Sequence, residues 1–386
     1  MTFGIIKFKF RNIVQNIIII LICLTLIFNL QEYASYLGLT AITNKVSIIY
    51  KIGKDLGFLL IIFIAIVGSI YSKKIPRITP PFYVLFLSII GLSLLNGNLM
   101  LSVAGYRWIL PIFLILAIYP YIDLDFIKNL TKVLYYLMIV QVTLQILQMF
   151  FMPPIAGTNF LGLSARNTGF FVYPGPTGLF ANVCLCFFEA FKKFRFSTLL
   201  VIISVILSMS STGAFILFTL LFFIKFYHKR YFKLLCLLLP FFLFFIFINL
   251  DTITGRSKGD TMISGGTRFE ILLESITNAT LISTQFGTAT NTAVSMKLED
   301  AFIADSTYIS LITNFGFIGF SIILFMLILA IFYAFFKKKL DLILFLIVFG
   351  LGSISIITFE FFPINLLMPI IIAFYIKDSK LKPSFK

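Results

Sequence analysis

Charged side chains are scarce in this sequence: Asp, Glu, Lys and Arg make up only 12% of the 386 residues, whereas hydrophobic residues make up 60%. A soluble chain of this length needs far more charge to cover its surface, so the composition excludes an ordinary soluble protein. Apolar runs of about 18 residues recur along the chain, the length that a helix needs to cross a bilayer. We therefore predict an all-α, polytopic membrane protein that forms a single membrane domain over residues 1–386.

Cysteine and histidine are also rare. The four cysteines, Cys23, Cys184, Cys186 and Cys236, all lie in apolar runs, and the pair at 184 and 186 lacks the spacing of metal ligands. The single histidine, His228, lies in a basic cluster, where we interpret it as a solvated loop residue. This pattern argues against a disulfide framework and a zinc site, and we expect neither a metal nor a cofactor.

The net charge of +16 is unevenly distributed. Basic clusters separate the apolar runs, and placing every cluster on the cytoplasmic side requires about twelve crossings with both termini inside. The inner side then has 22 Lys and Arg and 5 Asp and Glu, a net charge of +17. The outer side has 9 Lys and Arg and 10 Asp and Glu, a net charge of −1. Such asymmetry is typical of membrane topology, so no nucleic acid is expected as a partner. The predicted spans are residues 13–30, 56–72, 80–96, 106–122, 131–152, 170–191, 197–210, 212–227, 234–250, 306–335, 341–358 and 361–376.

Residues 251–305 form the only long hydrophilic stretch, which we predict to be an external loop between the ninth and tenth spans. The loop is expected to contain one short helix that begins near residues 265 and 266. Thr267 and Glu270 have the T-x-x-E spacing of a capping box at such a start. The predicted apolar face of this helix consists of Phe269, Leu272, Leu273 and Ile276.

Arginine is enriched on the predicted outer side, which holds 4 of the 8 Arg but only 5 of the 23 Lys. The planar guanidinium recognises phosphate bidentately, so Arg107, Arg166 and Arg268 are candidate anion-binding residues. Arg268 would occupy the first helical position, where backbone N–H groups also attract an anion, and a solvated Arg is the alternative. For Arg107 the alternative is an interfacial aromatic belt formed by its neighbours Tyr106 and Trp108.

Three further patterns concern the packing of the spans. Pro174-Gly175-Pro176 is expected to break the sixth span and open its backbone within the membrane. Residues 208–213, rich in Ser and Gly, predict a tight turn between the seventh and eighth spans. Gln141, Gln145 and Gln148 share one helix face, which fits either a polar groove for a sugar or lipid head group or, more commonly, interhelical hydrogen bonding.

Short motifs in the second half of the chain follow one another in a distinctive order. They are Arg166-Asn167-Thr168-Gly169 with Pro174 and Gly178, Ser210-Ser211-Thr212-Gly213, Gly266-Thr267-Arg268, Phe286-Gly287, Ala304-Asp305-Ser306-Thr307-Tyr308 and Gly316-Phe317-Ile318-Gly319. This series resembles the superfamily of O-antigen polymerases and O-antigen ligases over residues 160–335 and in the twelve-span layout. Many relatives carry an Arg in the turn where this chain has Thr212, so no phosphate contact is expected there.

The resemblance implies a GT-C-like membrane glycosyltransferase that works without a metal. Its donor and acceptor would be undecaprenyl-pyrophosphate-linked glycans on the periplasmic side of the bacterial inner membrane, and Arg166 and Arg268 would contact the donor pyrophosphate. Membrane lipid, a chain-length regulator and a flippase of the same pathway would be further partners. The ligases have a histidine where this chain has Asp305, which favours a polymerase over a ligase.

An attacking sugar hydroxyl must lose its proton, and a carboxylate can accept it. Asp305 is the first candidate for this base, and a role as N-cap of the tenth span is its alternative. Glu270 is the second candidate, with the capping box as its alternative. The rival functions are those of an O-antigen ligase and of a flippase-type transporter, although transporters commonly have matching helix breaks in both halves and only one was recognised.

Overall fold

The structure, a computed structural model, is all helical in the part that it describes. It describes residues 2–27, 29, 43–71, 87–88, 90–95, 98–151, 167–171, 173–229, 249, 260–295, 297–298, 301–302 and 306–378. No β-strand occurs in these ranges. The predicted all-α class is therefore confirmed for the described residues.

The helices follow the predicted apolar runs. In chain order they are α1 (Thr2–Cys23), α2 (Thr43–Tyr71), α3 (Leu99–Ile118), α4 (Leu124–Phe151), α5 (Pro174–Ala190), α6 (Ser197–Ser208), α7 (Ser211–Phe226), α8 (Asp260–Thr277), α9 (Asn291–Ser295), α10 (Thr307–Phe336), α11 (Leu340–Ser355) and α12 (Ile364–Asp378). The predicted ninth span at 234–250 and most of the third at 80–96 lie outside the described residues.

Apolar surface dominates the outside of the bundle. Within the described residues, four stretches are long and apolar enough to cross a membrane, namely Phe10–Ile27, Leu99–Ile118, Leu124–Phe150 and Thr307–Phe336. Large apolar side chains such as Phe63, Phe150, Phe325 and Met326 are exposed along such helices. A surface of this kind is unfavourable in water and suits contact with lipid tails. The protein is thus a multi-pass membrane protein, whereas the full count of twelve crossings stays a prediction.

The bundle has two distinct ends. At the first, Arg11 pairs with Asp123 at 3.2 Å, and the Lys377 ammonium donates to the carbonyl of Ile122 at 2.6 Å. We call this the basic end, since Lys339 also lies there, with its ammonium 6.0 Å from the ring of Tyr375. It carries residues near both termini, as expected for an even number of crossings. The opposite end, which we call the loop end, is formed by residues 98–107, 167–171, 173–174, 208–213, 280–292 and 353–364.

The chain reverses direction between α6 and α7 at the loop end. Met209 adopts a left-handed conformation (φ 48°), and Ser210 caps α7 by accepting a hydrogen bond from the N–H of Gly213 at 3.0 Å. A Cβ atom on Gly213 would lie 2.7 Å from the Cα of Gly178 in α5, so only glycine allows the two helices to approach this closely. The predicted turn at residues 208–213 is confirmed.

Helix α10 is interrupted at Gly316, where φ is 74° and ψ is −176°. The N–H groups of Phe317 and Ile318 donate to the carbonyls of Thr280 and Leu281 at 3.0 and 3.2 Å rather than to their own helix. The predicted tenth span at 306–335 is thus one candidate crossing, but its helix is interrupted at Gly316. A short, mostly buried helix precedes Gly316, and the twenty residues after it extend about 30 Å, enough to cross a bilayer.

Candidate functional site

The loop that follows α8 is fixed between α3 and the first part of α10. The N–H of Gly287 donates to the Asn314 side chain at 2.7 Å, and the Ser310 hydroxyl donates to the carbonyl of Ala289 at 2.8 Å. Gly287 has a φ of 96°, and a Cβ there would lie 1.9 Å from the carbonyl oxygen of Leu101. The Phe286-Gly287 motif thus places the polypeptide backbone directly against α3.

Polar side chains tie the start of α10 to the end of α11. The Thr307 hydroxyl donates to the carbonyl of Ile356 at 2.7 Å and accepts from the N–H of Thr358 at 2.9 Å. Ser306 is the N-cap, accepting from the N–H of Tyr308 at 3.2 Å, and its hydroxyl also contacts the carbonyl of Ser353. These bonds fix the segment that directly follows Asp305.

Asp305 itself lies outside the described residues. Its alternative role as the N-cap of the tenth span is wrong, because Ser306 occupies that position. The catalytic hypothesis for Asp305 stays a prediction.

The end of α11 also contacts the turn between α6 and α7. The hydroxyls of Thr212 and Ser355 lie 2.8 Å apart. Ser353, two residues before Ser355 in α11, contacts Ser306 at the start of α10. Helix α11 therefore joins this turn to the start of α10. Three motifs that are far apart in the sequence, at residues 178, 210–213 and 306–308, thus lie at one end of the bundle.

The three glutamines of α4 bind the backbone that follows Arg166. Gln148 donates to the carbonyl of Gly169 at 2.7 Å and accepts from its N–H at 2.8 Å, and Gln145 donates to the carbonyl of Asn167 at 2.8 Å. Gln141 makes a matching pair of bonds with the carbonyl of Thr168 and the N–H of Phe170. All three are buried, so the groove hypothesis is wrong. The predicted interhelical bonding is correct for Gln145, which also donates to the carbonyl of Ser204 in α6 at 3.0 Å, whereas the other bonds go to the loop. Arg166 lies outside the described residues.

Loss of one glutamine should destabilise this loop. We expect Gln148→Leu to lower the melting temperature in detergent, because the buried N–H of Gly169 loses its acceptor at a cost of about 1–3 kcal/mol. Thr143→Leu, at an exposed position of the same helix, is the control and should leave the melting temperature nearly unchanged. Equal melting temperatures for both variants would show that the glutamine bonds are not needed.

The prolines of the sixth span begin its helix instead of interrupting it. Helix α5 starts at Pro174 after the extended residue Tyr173, and the Thr177 hydroxyl donates back to the carbonyl of Thr168 at 3.1 Å. The expectation of a broken helix at Pro174-Gly175-Pro176 is thus wrong, because proline suits the first helical positions, where no helical N–H bond is lost.

A charged cluster joins four elements at the loop end. The Nε of Arg107 in α3 lies 2.6 Å from the carboxylate of Asp55 in α2, and its Nη1 donates to the Thr292 hydroxyl in α9 at 2.7 Å. Glu360, in the turn between α11 and α12, accepts from the N–H of Asn291 at 2.9 Å and from Thr292 at 3.4 Å. We call Asp55, Arg107, Thr292 and Glu360 the charged cluster.

The aromatic neighbours of Arg107 do not form an interfacial belt, so that alternative is wrong for Trp108. The Trp108 ring is fully buried and packs edge-on against Phe359 at 5.2 Å and against Phe315 at 5.7 Å. The predicted anion-binding role of Arg107 competes with its existing bonds, since two of its nitrogens are already occupied by Asp55 and Thr292.

Glu360 is the titratable member of the cluster with a shifted pKa. Burial raises the pKa of this carboxyl above its ordinary value of 4.5, although the backbone N–H groups of Asn291 and Thr292 and the charges of Arg107 and Lys54 lower it. The folded protein therefore holds this proton more tightly than the unfolded chain. The associated stabilisation is complete below the ordinary pKa and is lost as pH rises through the higher pKa of the folded state.

This linkage predicts a pH-dependent effect of Glu360→Gln. The amide retains an acceptor for the backbone N–H groups and carries no charge to bury. We expect the variant to match the wild type at acidic pH and to melt at a higher temperature at neutral pH, as measured by unfolding in detergent across that range. Glu274→Gln, on exposed helix surface, should follow the wild type throughout. A Glu360→Gln protein that is less stable at neutral pH would mean that attraction to Arg107 outweighs burial.

Helix α8 differs from its predicted form. It begins at Asp260, so residues 265 and 266 lie inside the helix. The predicted capping box of Thr267 and Glu270 is therefore wrong. For the same reason, Arg268 does not lie at a helix N-terminus. Arg268 is half-buried and makes no hydrogen bond or ion pair within the part of the chain that the structure describes. It lies on the helix face of Leu272, which packs against the apolar cluster around Trp108.

Comparison with known proteins gives no relative. No family model, no curated protein and no solved structure matches the chain. The resemblance described above therefore rests on the sequence motifs alone.

The site thus contains groups of two kinds. Arg107 is held by Asp55 and Thr292, whereas Arg268 has no hydrogen bond or ion pair to any other residue that the structure describes. Glu270 is exposed beside Glu274 on α8. Glu360 accepts hydrogen bonds from the backbone N–H groups of Asn291 and Thr292 in α9. Among the described residues, no three His, Cys, Asp or Glu side chains are grouped closely enough to hold a metal ion.

Proposed function

We propose that the protein is a polysaccharide polymerase of the O-antigen type, which joins lipid-pyrophosphate-linked oligosaccharide repeat units at the loop end. The observation that carries this proposal is the meeting of separate motifs at that end. Gly178 contacts Gly213, Thr212 contacts Ser355, and Ser306 contacts Ser353. Glycine and hydroxyl residues also serve close helix packing in membranes, so what supports the proposal is that motifs from separate parts of the sequence meet at the same end of the bundle.

The chemistry assigned to this site has two parts. Asp305 accepts the proton of the acceptor hydroxyl while the hydroxyl oxygen bonds to the anomeric carbon of the donor. The bond from that carbon to the lipid pyrophosphate breaks, and the electron pair leaves with the phosphate. Arg166 and Arg268 stabilise the growing negative charge through their guanidinium groups.

Arg107 has a different role in this proposal. Its bonds to Asp55 and Thr292 hold α2, α3 and α9 together, so we assign it to the architecture of the loop end. We assign binding of the leaving group to Arg166 and Arg268 instead.

The membrane is proposed to be a bacterial inner membrane, with the loop end periplasmic and the basic end cytoplasmic. The charge asymmetry of +17 against −1 supports this orientation. Cysteine substitution at exposed Glu274 and exposed His228, in a background without the four native cysteines, tests it. An impermeant maleimide should label Glu274→Cys in intact cells and His228→Cys only after lysis. The reverse pattern would contradict the orientation.

The decisive experiment for the function uses purified protein and lipid-pyrophosphate repeat units in detergent, with a chelator present. We expect products several repeats long on a gel. Transfer of the glycan to a separate lipid acceptor without extension would indicate a ligase. Lipid movement in liposomes without any change in chain length would indicate a transporter and would overturn the proposal.

A further inference from the structure

Helix α8 has three chemically different faces. Ile271 and Leu272 pack against the apolar cluster around Trp108. Glu270 and Glu274 are exposed, one turn apart. A third side presents the apolar residues Phe269, Leu273 and Ile276, which recur at helical spacing and are 60%, 45% and 37% exposed. The predicted apolar face is thus divided: Leu272 is turned to the bundle, and the other three residues point away from it.

The exposed stripe is continuous with the surface of a membrane-crossing helix. After α8, Leu281 and Ile282 are 69% and 54% exposed. The carbonyl of Leu281 accepts the N–H of Ile318, which places this apolar pair beside the start of the long exposed part of α10. Phe317 and Ile318, the first residues of that part, are themselves exposed. The stripe therefore lies where the apolar surface of α10 begins.

We propose that α8 is an interfacial membrane helix, with Phe269, Leu273 and Ile276 inserted among the lipids of the leaflet at the loop end. The occupant of the stripe is lipid, because Leu281 and Ile282 follow α8 and lie beside the exposed apolar surface of α10, a helix long and apolar enough to cross the bilayer. Helices of this kind lie in the membrane plane with the apolar side buried about 5–10 Å into the boundary between head groups and acyl chains.

The charged residues of α8 are consistent with membrane insertion that is driven by burial of apolar surface. The exposed part of the helix has two acids, Glu270 and Glu274, and no exposed Lys or Arg among its described side chains. Attraction to anionic lipid therefore contributes little, and Glu270 and Glu274 remain in water. The proposal does not rest on the glycosyltransferase function, since it concerns only where the helix lies.

Tryptophan fluorescence in lipid nanodiscs tests the proposal with neighbouring positions. Leu273→Trp should emit at a shorter wavelength than Glu274→Trp, should be quenched several-fold more strongly by brominated phosphatidylcholine, and should resist acrylamide. The native Trp108 is buried and contributes equally to both variants. Phe269→Trp provides a second probe of the stripe if Leu273→Trp does not fold.

Two results would overturn the proposal. Equal acrylamide quenching at positions 273 and 274 would mean that the stripe faces water. Protection of Leu273→Trp from both quenchers would mean that protein covers the stripe, through a second copy or another segment. Neither readout depends on polymerase activity, so failure here is separable from failure of the proposed function.

Discussion

Asp305→Asn is expected to reduce the rate of chain extension about 100-fold or more at a normal protein level. Asparagine has nearly the same size as aspartate but cannot accept the proton of the attacking hydroxyl. The cap of α10 is Ser306, so the exchange leaves the cap residue of the helix intact. The measurement is the rate of polymer formation from lipid-linked repeats, normalised to folded protein in detergent.

Ser306→Ala gives the matched comparison. It removes the N-cap, whose loss costs about 1 kcal/mol, and the bond to the carbonyl of Ser353. Its main effect should be a lower melting temperature, whereas Asp305→Asn should retain the wild-type value. Normal chain length from Asp305→Asn would remove Asp305 as the base and direct attention to Glu270 and then to Glu360.

Arg268→Lys is expected to slow chain extension about 10- to 100-fold, because loss of a charged hydrogen bond costs about 1.5–3 kcal/mol. Lysine keeps the charge but loses the planar fork that binds two phosphate oxygens. Stability should not change, since Arg268 makes no bond within the described residues. Rates measured over a range of donor concentrations will show whether the lost interaction belongs to the transition state.

Arg107→Lys is the contrasting variant. Its guanidinium joins Asp55 and Thr292, so lysine should lower the melting temperature more than it lowers the rate per folded molecule. We expect Arg166→Lys to behave as Arg268→Lys. Normal polymer from both the Arg166 and Arg268 variants would rule out these residues as the phosphate clamp.

The features that could be predicted from the sequence depend on local patterns. Helix positions can be predicted from apolar runs, because the hydrophobicity of a segment does not depend on which other segments it contacts. The turn at residues 208–213 follows from a cluster of small and hydroxyl residues. For the same reason the bounds of α6 and α7 lie within a few residues of their predicted positions. Helix α4 ends within a few residues of its predicted end but begins earlier than predicted.

The features that could not be predicted depend on contacts between distant residues. Arg107 and Asp55 are 52 positions apart, and Thr292 and Glu360 are 68 apart, so no local pattern reveals the charged cluster. The break at Gly316 requires carbonyl groups from the loop after α8. Gly265 and Gly266 suggested that α8 begins after them, but the helix continues through both glycines and packs against α10.

The bonds at Gly316 have a practical consequence for protein engineering. Two amide groups of α10, at Phe317 and Ile318, have their acceptors in the preceding loop, at Thr280 and Leu281. Excising that loop would leave both amides unsatisfied at the membrane boundary, where each costs several kcal/mol. The loop is therefore not a detachable module. Fusion partners and shortened variants should be designed around residues 280–290 without removing them.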